Sequence, residues 1–96
     1  MAVTVITEFP AKSGRRDELI SWIEGMMANA PAIPGALGNT FYKAVEDLDL
    51  LVEIGEWESA QARESAFGQI DATGGFAPMY EFLAAPLRVT VLDPTQ

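Results

Sequence analysis

The sequence predicts an α+β fold in which a four-stranded antiparallel sheet carries its helices on one face. Three observations predict it. Segments of β-branched alternation and segments of helical periodicity follow one another in the order β-α-β-β-α-(α)-β. The second and third strands are joined only by a short polar turn, which makes them a hairpin. Glycine or proline marks most of the element boundaries.

The first strand is expected over residues 2–9, AVTVITEF. Val3 and Val5 lie on one face and Ile6 on the other, so both faces are at least partly buried. Pro10 and Ser13-Gly14 end it. A helix is expected from Arg15 to Ala30, with Ser13 as its cap. Asp17 and Glu18 sit in its first turn, where the helix dipole favours acids. Leu19, Trp22, Ile23 and Met26 form its apolar stripe, Ala30-Pro31 ends it, and Pro31, Pro34 and Gly35 make the loop.

Strand two is expected from Leu37 to Val45, with Leu37, Asn39, Phe41, Lys43 and Val45 on one face. The turn Glu46-Asp47-Leu48-Asp49 leads into strand three, Leu50 to Trp57. There Leu51, Glu53, Gly55 and Trp57 share a face. Ser59 caps a helix from Ala60 to Gln69. A break from Asp71 to Gly75 precedes a short helical stripe of Phe76, Met79, Tyr80 and Leu83. Pro86 closes that stripe, and Leu87 to Leu92 is the last strand.

This order is the split βαβ arrangement of the ferredoxin-like folds. A single domain over residues 1–96 is expected, without internal repeats. The sheet face turned away from the helices also carries apolar residues. Hydrophobic residues make up 49% of only 96 positions, more than so small a chain can bury alone. A second copy packed sheet to sheet would cover the surplus, so a homodimer is expected.

Composition excludes several classes of function. The net charge is −8, and the six basic residues form no run beyond Arg15-Arg16. Nucleic acid and anionic membranes are therefore not expected partners. The chain has no histidine and no cysteine, which removes the usual ligands of zinc and redox metals, and no metal or cofactor is expected. The acids Glu46, Asp47 and Asp49 lack the rest of a calcium-loop pattern and read as a solvated turn. The opening MAVTVITEFP lacks the features of a signal peptide, and no apolar run approaches a membrane span. A soluble, cytoplasmic protein is expected.

The chain resembles the antibiotic biosynthesis monooxygenase (ABM) domains. The resemblance rests on VTVITEF in the first strand, SGRRDELISWI in helix one and PGALGNTFYKAVED in strand two. Its most specific part is the junction EIGEWESAQARESAF, where Glu56-Trp57 ends strand three and an alanine-containing helix follows. It covers Ala2 to about Asp93. It implies a dimeric α+β barrel with a ligand pocket between sheet and helices. It also implies cofactor-free oxidation of polycyclic phenols, anthrones or quinols by O₂, while some relatives degrade haem. Many relatives carry a histidine about nine residues after the tryptophan. Here Glu64-Ser65-Ala66-Phe67 stands in that region, which counts against histidine-dependent chemistry.

Candidate site residues follow from what chemistry remains. Glu53, on an apolar face of strand three, is the candidate base, or it faces an opening or pairs with an arginine. Arg63 is the candidate cation for a substrate oxygen, or a partner in an ordinary salt bridge. Asn39 either binds a ligand oxygen or satisfies backbone. Trp57, Phe41, Phe67, Phe76, Met79 and Tyr80 either line an aromatic pocket or fill the core, and the Tyr80 hydroxyl suits a phenolic ligand. Gly74-Gly75 serves either as the hinge of a lid or as a helix terminator. The expected function is a cofactor-independent monooxygenase acting on a small apolar aromatic ligand. Its competitors are a non-catalytic small-molecule-binding homodimer and an unrelated enzyme on the same barrel.

Overall fold

The computed structural model describes residues 2–30 and 32–95. Its elements are β1 (Val3–Pro10), α1 (Arg16–Asn29), β2 (Ala36–Lys43), β3 (Leu50–Trp57), α2 (Ala60–Ala72), α3 (Ala77–Tyr80) and β4 (Arg88–Leu92). The four strands form one antiparallel sheet in the order β2-β3-β1-β4, the ferredoxin-like split βαβ arrangement.

β1 and β3 take the centre of the sheet. They pair over their whole length, from Val3↔Trp57 to Pro10↔Leu50. Strand alternation then decides burial. Val3, Val5, Thr7 and Phe9 of β1 are buried, as are Leu51, Gly55 and Trp57 of β3. The helices pack on this face. Ile6, Val52 and Ile54, on the opposite face, are half-buried.

The core is divided. One cluster gathers Phe9, Leu19, Ile23, Leu51, Met79 and Leu83 where α1 and α3 meet the sheet. The other gathers Val3, Val5 and Trp57 beneath Ile33, Ala62, Ala66 and Phe67. Leu19 and Leu51, 0% and 1% exposed, each contribute roughly 1.5–3 kcal/mol by leaving water. Thr7 and Glu53, opposite each other on β1 and β3, belong to neither cluster.

Several boundaries differ from the sequence expectation. Ser13 is not the cap of α1. With Gly14 at φ 75° it forms a turn closed by Arg15 N–H donating to the Lys12 carbonyl at 2.9 Å, and Arg15 takes the cap position without a side-chain bond. Pro10 belongs to β1 as its last residue, where a missing N–H costs the ladder little. Leu37 does not share the face of Asn39 and Phe41. Ala36 pairs with Trp57 and Gly38 with Glu56, so Leu37 is the extra residue of a β-bulge and is 57% exposed. The expected role of Pro31 in ending α1 lies outside the described residues.

β2 stops at Lys43 because the chain is drawn into the hairpin turn. Arg16 Nη1 donates to the carbonyls of Ala44, Asp47 and Leu50 at 3.1, 3.1 and 3.2 Å. Val45 is thereby left 90% exposed outside the strand. α2 has the expected cap, the Ser59 hydroxyl accepting from Ala62 N–H at 3.1 Å, and runs on to Ala72. Its stop is the Gly74-Gly75 pair. Gly74 adopts φ 77°, and a Cβ on Gly75 would lie 2.7 Å from Ile70 Cγ2. This pair is a packed terminator, not an open hinge. α3 is a single turn, because Leu83 beyond it bridges to Ala11 at the end of β1. Among the described residues no helix is long and apolar enough to cross a membrane.

The guanidinium of Arg16 ties the start of α1 to the β2–β3 turn through three carbonyls at once. Arg16→Met is therefore expected to lower unfolding free energy by about 2–3 kcal/mol in urea titration, since hydrogen bonds to charged groups are worth about 1.5–3 kcal/mol and do not add fully.

Candidate functional site

Between the two core clusters lies a cavity of about 350 Å³. That is near the lower end of the roughly 300–1,000 Å³ typical of small-molecule sites. Its floor is the helix-facing side of the sheet: Thr7 and Phe9 from β1, Asn39 and Phe41 from β2, Glu53 and Trp57 from β3. Ile23 and Met26 of α1 wall one side. Phe67 and Ile70 of α2, with Phe76 and Met79, wall the other. The exposed residues Met27, Ala30, Ala36 and Asn39 rim it, so its mouth lies between the end of α1 and β2.

The walls are aromatic and fixed by edge contacts. Phe67 meets Trp57 at a centroid distance of 5.5 Å and 86°, and meets Phe76 at 5.5 Å and 85°. Edge-to-face pairs of this kind add about 0.5–1.5 kcal/mol beyond their burial. Phe41 lies 6.3 Å from Phe9 on the floor. Met79, 3% exposed, projects inward from the single turn of α3.

Polar groups on this floor are few. Glu53 is half-buried, and its Oε2 accepts from Asn39 Nδ2 at 2.9 Å. Asn39 is exposed at the mouth, not the buried amide expected from its strand position, and it satisfies a carboxylate and not backbone. Its neighbour Met27 lies with Sδ 3.9 Å from the same nitrogen. Thr7 is 2% exposed, and its Oγ1 has no hydrogen-bond partner among the described residues. Sequence reasoning passed over Thr7. The signal was present, since a hydroxyl stands at the third place in the buried series Val3, Val5, Thr7, Phe9.

Two of the sequence candidates stand outside the cavity. Arg63 lies behind its wall, with its guanidinium carbon 4.4 Å from the centre of the Phe67 ring. Burial lowers its pKa, and the carboxylates of Glu53 and Glu64 oppose that shift. No carboxylate reaches ion-pair distance of it among the described residues. Tyr80 is 51% exposed. It follows Met79 on a one-turn helix, so when Met79 faces the core Tyr80 faces out. Its hydroxyl lies 3.4 Å from Asp71 Oδ1, and burial together with that carboxylate raises its pKa. The structure thus brings Asn39, Phe41, Glu53, Trp57, Phe67, Phe76 and Met79 to one cavity and leaves Arg63 and Tyr80 beyond it.

Acids and ring walls define what this arrangement does chemically. Among the described residues no group of three or more His, Cys, Asp or Glu is placed to hold a metal ion. The cavity fits a flat apolar ring system and offers one carboxylate, one amide and one hydroxyl at its floor.

Comparison with known proteins yields similarity of structure. No family model and no curated protein matches the chain by sequence. Solved structures match throughout its length. Rv0793 of Mycobacterium tuberculosis is 25% identical with a TM-score of 0.79, covering 100% of this chain and 97% of that one. A monooxygenase from the ActVA-Orf6 gene of Streptomyces coelicolor, in complex with nanaomycin D, is 18% identical with a TM-score of 0.75, covering 99% and 88%. SnoaB of Streptomyces nogalater, a cofactor-independent oxygenase solved as a point mutant, is 14% identical with a TM-score of 0.71, covering 99% and 94%. Further neighbours are named putative antibiotic biosynthesis monooxygenases. The resemblance read in the sequence therefore holds at the level of the fold.

Phe67 bridges Trp57, Phe76 and Arg63, so its ring holds the wall in place. Phe67→Ala is expected to cost about 2–4 kcal/mol of stability. It should also shift tryptophan emission to longer wavelength as water reaches Trp57, a change that fluorescence during urea unfolding would read together with the stability loss.

Proposed function

We propose that the protein is an ABM-type monooxygenase that oxidises an aromatic polycyclic phenol, anthrone or quinol with O₂ and without a cofactor. The observation that carries this reading is one carboxylate, Glu53, held by Asn39 on the floor of a cavity whose walls are aromatic and aliphatic. The names borne by its structural neighbours agree with it.

The chemistry asks little of the protein beyond position. Glu53 removes a proton from the bound anthrone or phenol, and Asn39 N–H holds the carboxylate toward the ring. The resulting anion is electron-rich and passes one electron to O₂, and the radical pair combines to a peroxide anion that takes the proton back from Glu53 to become the hydroperoxide. Loss of water leaves the quinone, so anthrone and O₂ become anthraquinone and H₂O. Trp57, Phe67 and Phe76 orient the ring and keep bulk water from the anion. Arg63, behind Phe67, places a positive charge near the side where negative charge grows.

We further infer a homodimer joined through the sheet face opposite the helices. Ile6, Val52 and Ile54 are half-buried there, while Tyr42 and Leu92 are 53% and 41% exposed. A second reading, a binding protein without turnover, is favoured by one observation: the chain contains no histidine to serve as base.

Metal-free protein should consume O₂ saturably with an anthrone or quinol. Glu53→Gln should lower kcat by about 10²- to 10⁴-fold, the usual worth of a positioned base. Unchanged turnover in that variant would remove Glu53 from its role, and no turnover with any anthrone or quinol would leave the binding reading. Light scattering should give about twice the 10.4 kDa protomer mass; a protomer mass at micromolar concentration would overturn the dimer.

A further inference from the structure

We infer that Thr7 is a ligand-binding residue whose hydroxyl, opposite Glu53, recognises an O–H group on the edge of the bound ring. The inference deepens the proposed reading of the cavity and rests on it.

Three observations converge. Thr7 lines the cavity, and its cross-strand neighbour on that floor is Glu53. Directly opposed residues on adjacent antiparallel strands carry their Cβ atoms about 4.5–5.5 Å apart. The Thr7 Oγ1 is buried without a hydrogen-bond partner among the described residues. Such an orphan is costly in a fold this small, because the hydroxyl has given up its bonds to water and gained none in return. Valine, with the same shape and no orphan, would serve the strand better, and valine fills this face of β1 at Val3 and Val5. Finally, the Asn39 bond engages Glu53 Oε2, and Oε1 has no donor among the described residues.

Thr7 and Glu53, paired across the two central strands on the cavity floor, thus have complementary hydrogen-bonding needs. A hydroxyl on the ligand edge satisfies both. Its proton donates to the Glu53 carboxylate, and its oxygen accepts from the Thr7 hydroxyl. The Oγ1 atom is shielded from the cavity in this structure, and one staggered step about χ1 carries the hydroxyl into the place its methyl now holds, which is how it turns to meet the ligand. When Glu53 takes the proton, the ligand oxygen becomes an oxyanion that the Thr7 O–H already faces. The site therefore selects a ring bearing a hydroxyl over the same ring bearing a methyl.

Equilibrium dialysis with 1-naphthol and 1-methylnaphthalene tests this at neutral pH. Wild type should prefer the naphthol. Thr7→Val should reduce that preference about two- to tenfold, as the loss of one hydrogen bond requires. It should leave methylnaphthalene binding unchanged and the melting temperature no lower. Thr7→Ser should keep the preference, and Thr7→Ala repeats the test without a β-branched side chain. A preference unaltered in the valine and alanine variants, or an equal loss for both probes, would overturn the role of Thr7. Equal binding of both probes by wild type would do the same and leave the aromatic cavity standing. Failure of wild type to bind either probe would overturn the cavity reading together with it.

Discussion

The eight-residue pairing of β1 with β3 is the constraint on which the rest of the molecule depends. It sets Val3 against Trp57, Thr7 against Glu53 and Phe9 against Leu51. Because side chains alternate with a period of two, a slip of one residue would send this whole set to the opposite face. The helices have somewhere to dock only because the register puts Val5, Leu51 and Trp57 on one side. The same register drops a hydroxyl and a carboxylate between the two apolar clusters. The polar seam and the division of the core are one fact seen twice.

That seam explains why a cavity persists in a chain of 96 residues. Apolar side chains cannot close over Glu53 without burying its charge unpaired, which costs far more than the packing would return. The Phe67 ring, gripped on its edges by Trp57 and Phe76, cannot easily lean inward either. The cavity is held open from the floor by electrostatics and from the wall by ring geometry.

Strands and their order were legible because alternation and hairpin spacing are local signals. The β3 boundaries, Leu50 and Trp57, came directly from them. The Ser59 cap was equally local. What escaped was decided by distant parts of the chain. The bulge at Leu37 depends on how β2 meets the end of β3, and nothing in Ala36-Leu37-Gly38 announces it beyond a glycine. The early end of β2 depends on Arg16, which lies 28 residues before Ala44 in the chain. Tyr80 stands outside the cavity because the bridge from Leu83 to Ala11 leaves α3 a single turn, too short to keep Phe76, Met79, Tyr80 and Leu83 on one stripe. Thr7 was overlooked because threonine is an ordinary strand former, and only its missing partner sets it apart.

The two edges of the sheet are unlike, and the bulge is the reason. An extra residue twists the outer strand β2 and interrupts its row of N–H and C=O groups, which makes it a poor template for another chain. β4 is short and has no such interruption, and it presents Val89, Val91 and Leu92 at 42%, 46% and 41% exposure. Resistance to aggregation is therefore built into one margin of the molecule and left to length alone at the other. Under conditions that loosen the fold, uncontrolled strand addition has a single preferred direction of growth, outward from β4.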